Sequence, residues 1–570
     1  MTDNQRVAIL GLDGATLDLI RPWAAQGKLP ALRALMEDGV WGTLWSTVPP
    51  QSPPAWTTFM TGKNPGKHGV FDFTLNSLGG RGQLVNAHSV KAETLWQILS
   101  RVGKKVGVIN IPVTYPPTPV NGFIVAGFLS PRTGEPYAYP AEVMHDAQDM
   151  NAIWMDHSQK ADVLGDAGGW EPGEFREWMD HCLDVFERTI FDLYAKYPDC
   201  DFFMAMLPML DAAQHNLWRY MDPSHPDYDP EQAKLHGDGI EHFYRRVDAV
   251  VARFRAQLPT DTVLLLMSDH GQGPRPRYQV ALNDWLRQHG YLALRESNRQ
   301  GSTLARVLGK VGINWENWKH FLARLGVYEA ARTFYMQRFS TRTKNRIRGS
   351  LPRQTLDYYD IDWKRTRAAV LIHDVSPWQG IWINVGDATH PATVARGDEY
   401  EALRDQLIGE LTKLTDPADG HPLVRRVYRR EELYQGPYVY LAPDLVVRLV
   451  DDDHTGDTTM GHPALVTHAP TIRRNGQHRD NGIFLGVGPG IKRGLRVEGH
   501  LADVAPTVLH ILGLPVPTDM DGHVLTDILE QPGEVTFAEP AAFSVPDELV
   551  LSDEERKQVE DRLKGLGYLE

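Results

Sequence analysis

Three short apolar runs each lead to an aspartate. Val7-Ala8-Ile9-Leu10 continues into Gly11-Leu12-Asp13-Gly14, Phe202–Leu207 leads to Asp211, and Val263–Met267 leads to Ser268-Asp269. A short continuous apolar run closed by polar or glycine residues reads as a strand buried on both faces, although apolar content alone is also compatible with a short helix. In parallel sheets the carboxyl ends of the strands share one edge, and sites gather there. Three carboxylates at three strand ends are therefore expected to converge. Val106–Ile111, Phe123–Ala126 and Ile483–Val487 are runs of the same kind, and the helical stretches Glu93–Val102, Gly173–Tyr197 and His236–Leu258 lie between such runs. This alternation predicts a layered α/β fold with a mostly parallel central sheet.

The residues beside those aspartates carry metal chemistry. Asp211 and His215 are spaced i, i+4, which places them on one face if the chain is helical there. Asp269 is followed by His270 and by Gly271, which lets the backbone bend. His478 is read as a loop residue ahead of Gly482-Ile483-Phe484. Taken singly, these are also compatible with a helix-start carboxylate, a turn and a surface histidine. Taken together they offer three carboxylates and three imidazoles, the donor types that bind Zn²⁺, with carboxylates also accepting harder cations. Ser52 adds a hydroxyl. A serine needs a base or a metal to become a nucleophile, and no Gly-x-Ser-x-Gly elbow surrounds it, so metal activation is the better reading. Pro53 and Pro54 follow, and a helix is expected from about Ala55. An anion at that helix N-terminus would meet free N–H groups.

Composition narrows the setting. A chain of 570 residues is too long for one simple core. A formal charge of −14 argues against general nucleic-acid binding by the whole surface. Cys182 and Cys200 are too few for a disulfide framework and fit a reducing compartment, where they pack as small apolar residues. The N-terminal residues run straight into the first strand, with no leader pattern, and no apolar run approaches the roughly 20 residues of a membrane span. The expectation is a soluble, cytoplasmic protein. Its oligomeric state is left open. Residues from about 294 to 355 are helical in pattern and basic, with Arg342, Lys344, Arg346 and Arg348 as their densest cluster. They are read as the start of a cap, flanked by strands at Gly380–Asn384 and Ala442–Val447. The expected organisation is a catalytic core in two parts, 1–293 and 475–570, with residues 294–474 inserted.

The order Asp13, Ser52, Asp211-x-x-x-His215, Asp269-His270-Gly271, His478 resembles the alkaline phosphatase superfamily. Within it, the chain is most similar to the type I phosphodiesterase/nucleotide pyrophosphatase family. Thr61-Gly62-x-x-Pro65-x-x-His68-Gly69 is similar to that family's stretch after the nucleophile. Asp503-Val504-Ala505-Pro506-Thr507-Val508-Leu509, followed by Gly513-Leu514-Pro515 and Asp521-Gly522, is similar to its C-terminal core segment. The resemblance implies a three-layer α/β sandwich with an inserted cap and two divalent metals, usually Zn²⁺. One metal would be held by Asp13, Asp269, His270 and the Ser52 oxygen, the other by Asp211, His215 and His478. It implies a small phosphorylated substrate and hydrolysis of phosphodiester or pyrophosphate bonds through a covalent phosphoserine. The alternatives are a phosphomonoesterase or phosphonate hydrolase on the same site, and a metal-stabilised binding protein without turnover. Two departures bear on the substrate. Ser52 stands where the animal enzymes of the family usually carry Thr, and Pro53-Pro54-Ala55-Trp56 offers no counterpart of their phosphoryl-binding Asn. The missing Arg after Ser52-Pro53-Pro54 also argues against a sulfatase. His68, His88, His373, His454, His462 and His468 have no ligand spacing, and Trp378 and Trp382 are read as core.

Overall fold

The computed structural model describes residues 5–75, 82–127, 129–131, 134, 136–152, 172–295, 360–371, 376–386, 390–469 and 475–566. The described chain forms two compact units. The first comprises Met1–Arg275, Arg430–Ala442 and Pro470–Glu570, the second Pro276–Arg429 and Pro443–Ala469.

Among the described residues, nine strands of the first unit form one sheet. Their spatial order is Leu495–His500, Val40–Trp45, Asn481–Val487, Thr262–Met267, Arg6–Leu12, Phe202–Leu207, Val106–Ile111, Gly122–Ala126 and Ala138–Tyr139. Arg6–Leu12 pairs in parallel with Phe202–Leu207 on one side and Thr262–Met267 on the other. Val106–Ile111 extends the parallel set and pairs with Gly122–Ala126. Every residue of Phe202–Leu207, Thr262–Met267 and Val106–Ile111 is buried, so both faces of the sheet are covered, which is why these strands read as unbroken apolar runs. Two strands depart from the parallel pattern: Ala138–Tyr139 pairs antiparallel with Gly122–Ala126, and Asn481–Val487 runs antiparallel between Thr262–Met267 and Val40–Trp45. The strands Val40–Trp45 and Leu495–His500 lie beyond it at one side of the sheet. They alternate buried and more exposed residues, so no apolar run announces them.

Helical stretches appear where they were expected, as Leu95–Arg101 and Pro172–Lys196. The stretch read as His236–Leu258 is the helix Gly239–Gln257, with a separate short helix, Pro230–His236, ahead of it. In the second unit, Ala368–Val370, Trp378–Ile383, Leu445–Leu449 and Val424–Arg429 form an antiparallel sheet. Trp378 and Trp382 are buried there, as core residues. Most of the basic stretch, including Arg342, Lys344, Arg346 and Arg348, lies outside the described residues. No helix among the described residues is long and apolar enough to cross a membrane.

Gly11 sits in the central strand opposite Met206 and Met267. A methyl group there would lie 2.6 Å from Cη2 of Trp56. Trp56 is fully buried on the helix that begins at Ser52, so Gly11 lets that helix settle directly on the sheet. Gly11→Ala should therefore overpack the contact and cost about 1–3 kcal/mol. The expected result is a lower denaturant midpoint with an unchanged slope; an unchanged midpoint would mean that Trp56 moves aside freely.

Candidate functional site

The strand Arg6–Leu12 ends at Asp13, and Gly14 turns the chain with a positive φ of 66°. A Cβ on Gly14 would lie 3.0 Å from Asp211 Oδ1, so a side chain is excluded on steric as well as backbone grounds. The same residue links the three strand ends. Its N–H donates to Asp269 Oδ1 at 3.4 Å, and its carbonyl accepts from the side-chain amide of Gln214 at 2.9 Å. Asp211 and His215 lie on the helix Met209–Met221, which starts directly after the strand Phe202–Leu207. Asp269 follows the strand Thr262–Met267, where the Ser268 hydroxyl donates to Ala15 O at 3.0 Å and accepts from the Ile483 N–H at 2.8 Å.

His478 is not in a loop. It lies in the strand Gly476–Arg479, which pairs antiparallel with Gly271–Pro274. The two strands are four residues each and rich in Gly and Gln, too short and too polar to show a strand period in the sequence. The pairing sets the His478 imidazole over that of His270, with ring centroids 3.7 Å apart at 24°.

Ser52 is the first residue of the helix Ser52–Thr61. The expectation of several free N–H groups there does not hold. Pro53 and Pro54 have none, and the Ala55 N–H donates to Gln51 O. Of the first four residues, only Ser52 has a main-chain donor to offer an anion. The Ser52 hydroxyl lies 3.5 Å from His270 Nε2.

The structure brings all seven residues together, and all are buried. His270 Nε2 lies 3.5 Å from Asp13 Oδ1 and 3.4 Å from Asp269 Oδ2. Asp211 Oδ1 lies 3.2 Å from His215 Nε2 and 3.4 Å from His478 Nε2. Donor atoms of Asp211, His215 and His478 fall within 4.8 Å of one another, as do those of Asp13, Asp211 and His270. Each imidazole is oriented by a main-chain carbonyl at its other nitrogen. Nδ1 of His215 donates to Gly476 O at 2.8 Å, that of His478 to Pro50 O at 2.9 Å and that of His270 to Gly271 O at 3.0 Å. Those bonds put the proton on Nδ1 and turn the Nε2 lone pairs inward.

This arrangement fits metal cations. Nε2 of His215 and Nε2 of His478 are only 3.0 Å apart, and in these tautomers neither carries a proton. Both oxygens of Asp13 and Oδ2 of Asp269 are buried without a hydrogen-bond partner among the described residues. Burial pushes the Asp13 carboxyl well above its ordinary value, and the charges of Asp269 and Asp211 push it the same way. Burial opposes ionisation of Asp211 too, but the His215 and His478 imidazoles, whenever they carry a proton on Nε2, outweigh it and hold that carboxyl well below the usual range. Burial also depresses His270. Three converging lone pairs and unsatisfied carboxylates in a buried centre are stabilised by a divalent ion and by little else.

The other histidines stand apart from this constellation. His68 is buried, with Nδ1 accepting the Val70 N–H at 3.2 Å and Nε2 donating to the Thr58 hydroxyl at 3.0 Å. It is a neutral strut inside the segment after Ser52, its pKa lowered to about 3 chiefly by burial and further by Lys63. His88 bonds Asp547 O, His454 pairs with Asp451, His462 with Asp457, and His468 stacks on Tyr278. His373 lies outside the described residues. Two residues that spacing did not single out, His225 and Asn475, are buried beside the site and hold its parts together. Nothing in their neighbours' identity signals that role.

Comparison with known proteins agrees with this geometry. Residues 7–478 match the model of the family described as type I phosphodiesterase/nucleotide pyrophosphatase. No curated protein sequence matches the chain. Phosphonoacetate hydrolase from Sinorhizobium meliloti, solved with phosphonoformate, shares the fold at 14% identity and a TM-score of 0.50, over 88% of this chain and 95% of that one. Murine ectonucleotide pyrophosphatase/phosphodiesterase 5, solved with AMP, is similar at 13% identity and a TM-score of 0.47, over 92% of this chain and 100% of that one. With its central sheet, its clustered carboxylates and imidazoles, and a family match across most of its length, this chain belongs to the type I phosphodiesterase/nucleotide pyrophosphatase family of metal-dependent hydrolases.

Proposed function

We propose that this protein hydrolyses phosphodiester or pyrophosphate bonds at a two-metal centre, with Ser52 as the nucleophile. The observation that carries this reading is the convergence of three oriented imidazole Nε2 atoms and three buried carboxylates beside the Ser52 hydroxyl. Asp13, Asp269, His270 and the Ser52 oxygen would hold one metal, and Asp211, His215 and His478 the other. Bound there, Zn²⁺ would lower the pKa of the serine hydroxyl and withdraw charge from the phosphoryl oxygens. Ser52 Oγ releases its proton to solvent and forms a bond to phosphorus as the bond to the leaving oxygen breaks, and the leaving group takes a proton from solvent. Water then cleaves the phosphoserine and restores the hydroxyl. Burial of Ser52 in the first turn of its helix fixes the direction of attack.

The charge distribution favours a diester over a monoester dianion. A dianion needs extra positive donors at the phosphoryl group, and none of the three carboxylate residues pairs with an arginine or lysine among the described residues. The buried cations of this unit are engaged elsewhere, Lys63 with Asp519 at 2.5 Å and Arg275 with Asp227 at 2.9 Å. Cys182 and Cys200 are both buried and not joined in a disulfide, which supports action in a reducing compartment such as the cytoplasm.

Side-by-side hydrolysis of a chromogenic phosphodiester and the corresponding monoester by the Zn²⁺-loaded protein tests the preference. Diester turnover should dominate, and monoester or phosphonate turnover alone would overturn the bond assignment. Metal analysis of reloaded protein should give about two Zn²⁺ per chain, whereas a value near zero would remove the mechanism. Ser52→Ala should keep most of the metal, because Asp13, Asp269 and His270 remain, while turnover falls by roughly a hundredfold or more. Turnover close to that of the unaltered protein would show that water attacks without Ser52.

A further inference from the structure

The two halves of the constellation are built differently. Asp13 and Asp269 follow strands that pair directly, Arg6–Leu12 and Thr262–Met267. Asp211 and His215 lie on the helix Met209–Met221, whereas His478 comes from the two-stranded ribbon of Gly271–Pro274 and Gly476–Arg479. The geometry of Asp211, His215 and His478 therefore depends on how the ribbon is fastened to the helix.

Asn475, the residue ahead of the ribbon strand, makes that connection. Its N–H donates to His215 O at 2.6 Å, and its side-chain amide donates to Asn216 O at 2.8 Å. Its carbonyl accepts from the Arg275 N–H at 3.0 Å and from Nε2 of His225 at 3.0 Å. His225 lies in the segment after the helix, and its Nδ1 accepts the Asp227 N–H at 3.1 Å, so its proton must sit on Nε2. Next in the chain, Gly476 turns its carbonyl to His215 Nδ1 at 2.8 Å. A side chain on Gly476 would come within 2.5 Å of Gln214 O, so only glycine permits this approach. His225 and Asn475 are 4% and 3% exposed, and neither has a ring or carboxylate in the constellation.

We propose that His225 and Asn475 are positioning residues: they latch the His478 ribbon to the His215 helix and thereby set the affinity of the metal position formed by Asp211, His215 and His478. This rests on the two-metal reading above. The latch acts chiefly on that position: Asp13 and Asp269 are carried by the sheet, and His270, although its ring stacks on His478, follows Asp269 directly and is oriented by its neighbour's carbonyl, Gly271 O.

The test titrates metal-free full-length protein with Zn²⁺ against a chromogenic chelator, and with Co²⁺ followed by visible absorption, so that binding is read without turnover. His225→Ala and Asn475→Ala should each weaken one of two binding classes by about ten- to a hundredfold and leave the other within twofold. His225→Gln, which keeps an N–H donor, should restore most of the loss. Lost turnover in the alanine variants should return when excess Zn²⁺ is added. Two classes unchanged in both alanine variants, or both classes weakened together in protein with intact circular dichroism, would overturn the latch. If the His225→Ala chain does not fold, Asn475→Ala carries the same expectation. If the unaltered protein binds no Zn²⁺, the two-metal reading itself fails; if it binds two and the variants do likewise with equal affinity, only the latch fails.

Discussion

The mutual repulsion of three buried carboxylates organises this molecule. Asp13, Asp211 and Asp269 end or follow three adjacent strands of one sheet, and none meets a lysine or arginine among the described residues. In a low-dielectric interior such a cluster is tolerated only if it shares protons or gathers positive charge. The surrounding structure is arranged for the second outcome. Three main-chain carbonyls hold the Nδ1 protons of three histidines and leave their Nε2 lone pairs facing the carboxylates. Gly14 removes the side chain that would separate Asp13 from Asp211. Without a divalent ion, the arrangement concentrates repulsion; with one, each of these contacts becomes favourable.

The Ser52 helix shows how the fold limits what its own backbone contributes. Pro53 and Pro54 hold the first turn in shape, and Gly11 lets Trp56 press that helix onto the central strand. The same prolines remove the N–H groups that a helix start normally offers to an anion. Stabilisation of a phosphoryl group must then come from bound cations and side chains rather than from the helix end. Rigidity and dependence on metal thus arise from the same two residues.

Much of this was legible in the sequence because the central strands are buried on both faces. Val106–Ile111, Phe202–Leu207 and Val263–Met267 are apolar without interruption, and the aspartates stand at or just beyond their ends. Val40–Trp45 and Leu495–His500 are half exposed and alternate, so they could not be distinguished from loop. His478 was misplaced because a four-residue ribbon strand of Gly, Gln, His and Arg has no apolar period at all. His225 and Asn475 are invisible for a different reason. The groups their side chains engage are main-chain atoms, and a main-chain carbonyl or N–H has no residue type.

The position of Asn481–Val487 bears on how the chain matures during synthesis. This strand lies between Val40–Trp45 and Thr262–Met267, and it arrives only after most of the chain has been made. Until then the nascent sheet is open at both of those edges, and the imidazole of His478, a few residues earlier, has not yet joined the histidine it stacks upon. Non-local pairing of this kind is slow and leaves strand edges open to misassembly, which is the state that folding helpers on the ribosome bind. The same delay keeps His478 apart from Asp211 and His215, so the seven buried residues come together only late, when the central sheet closes.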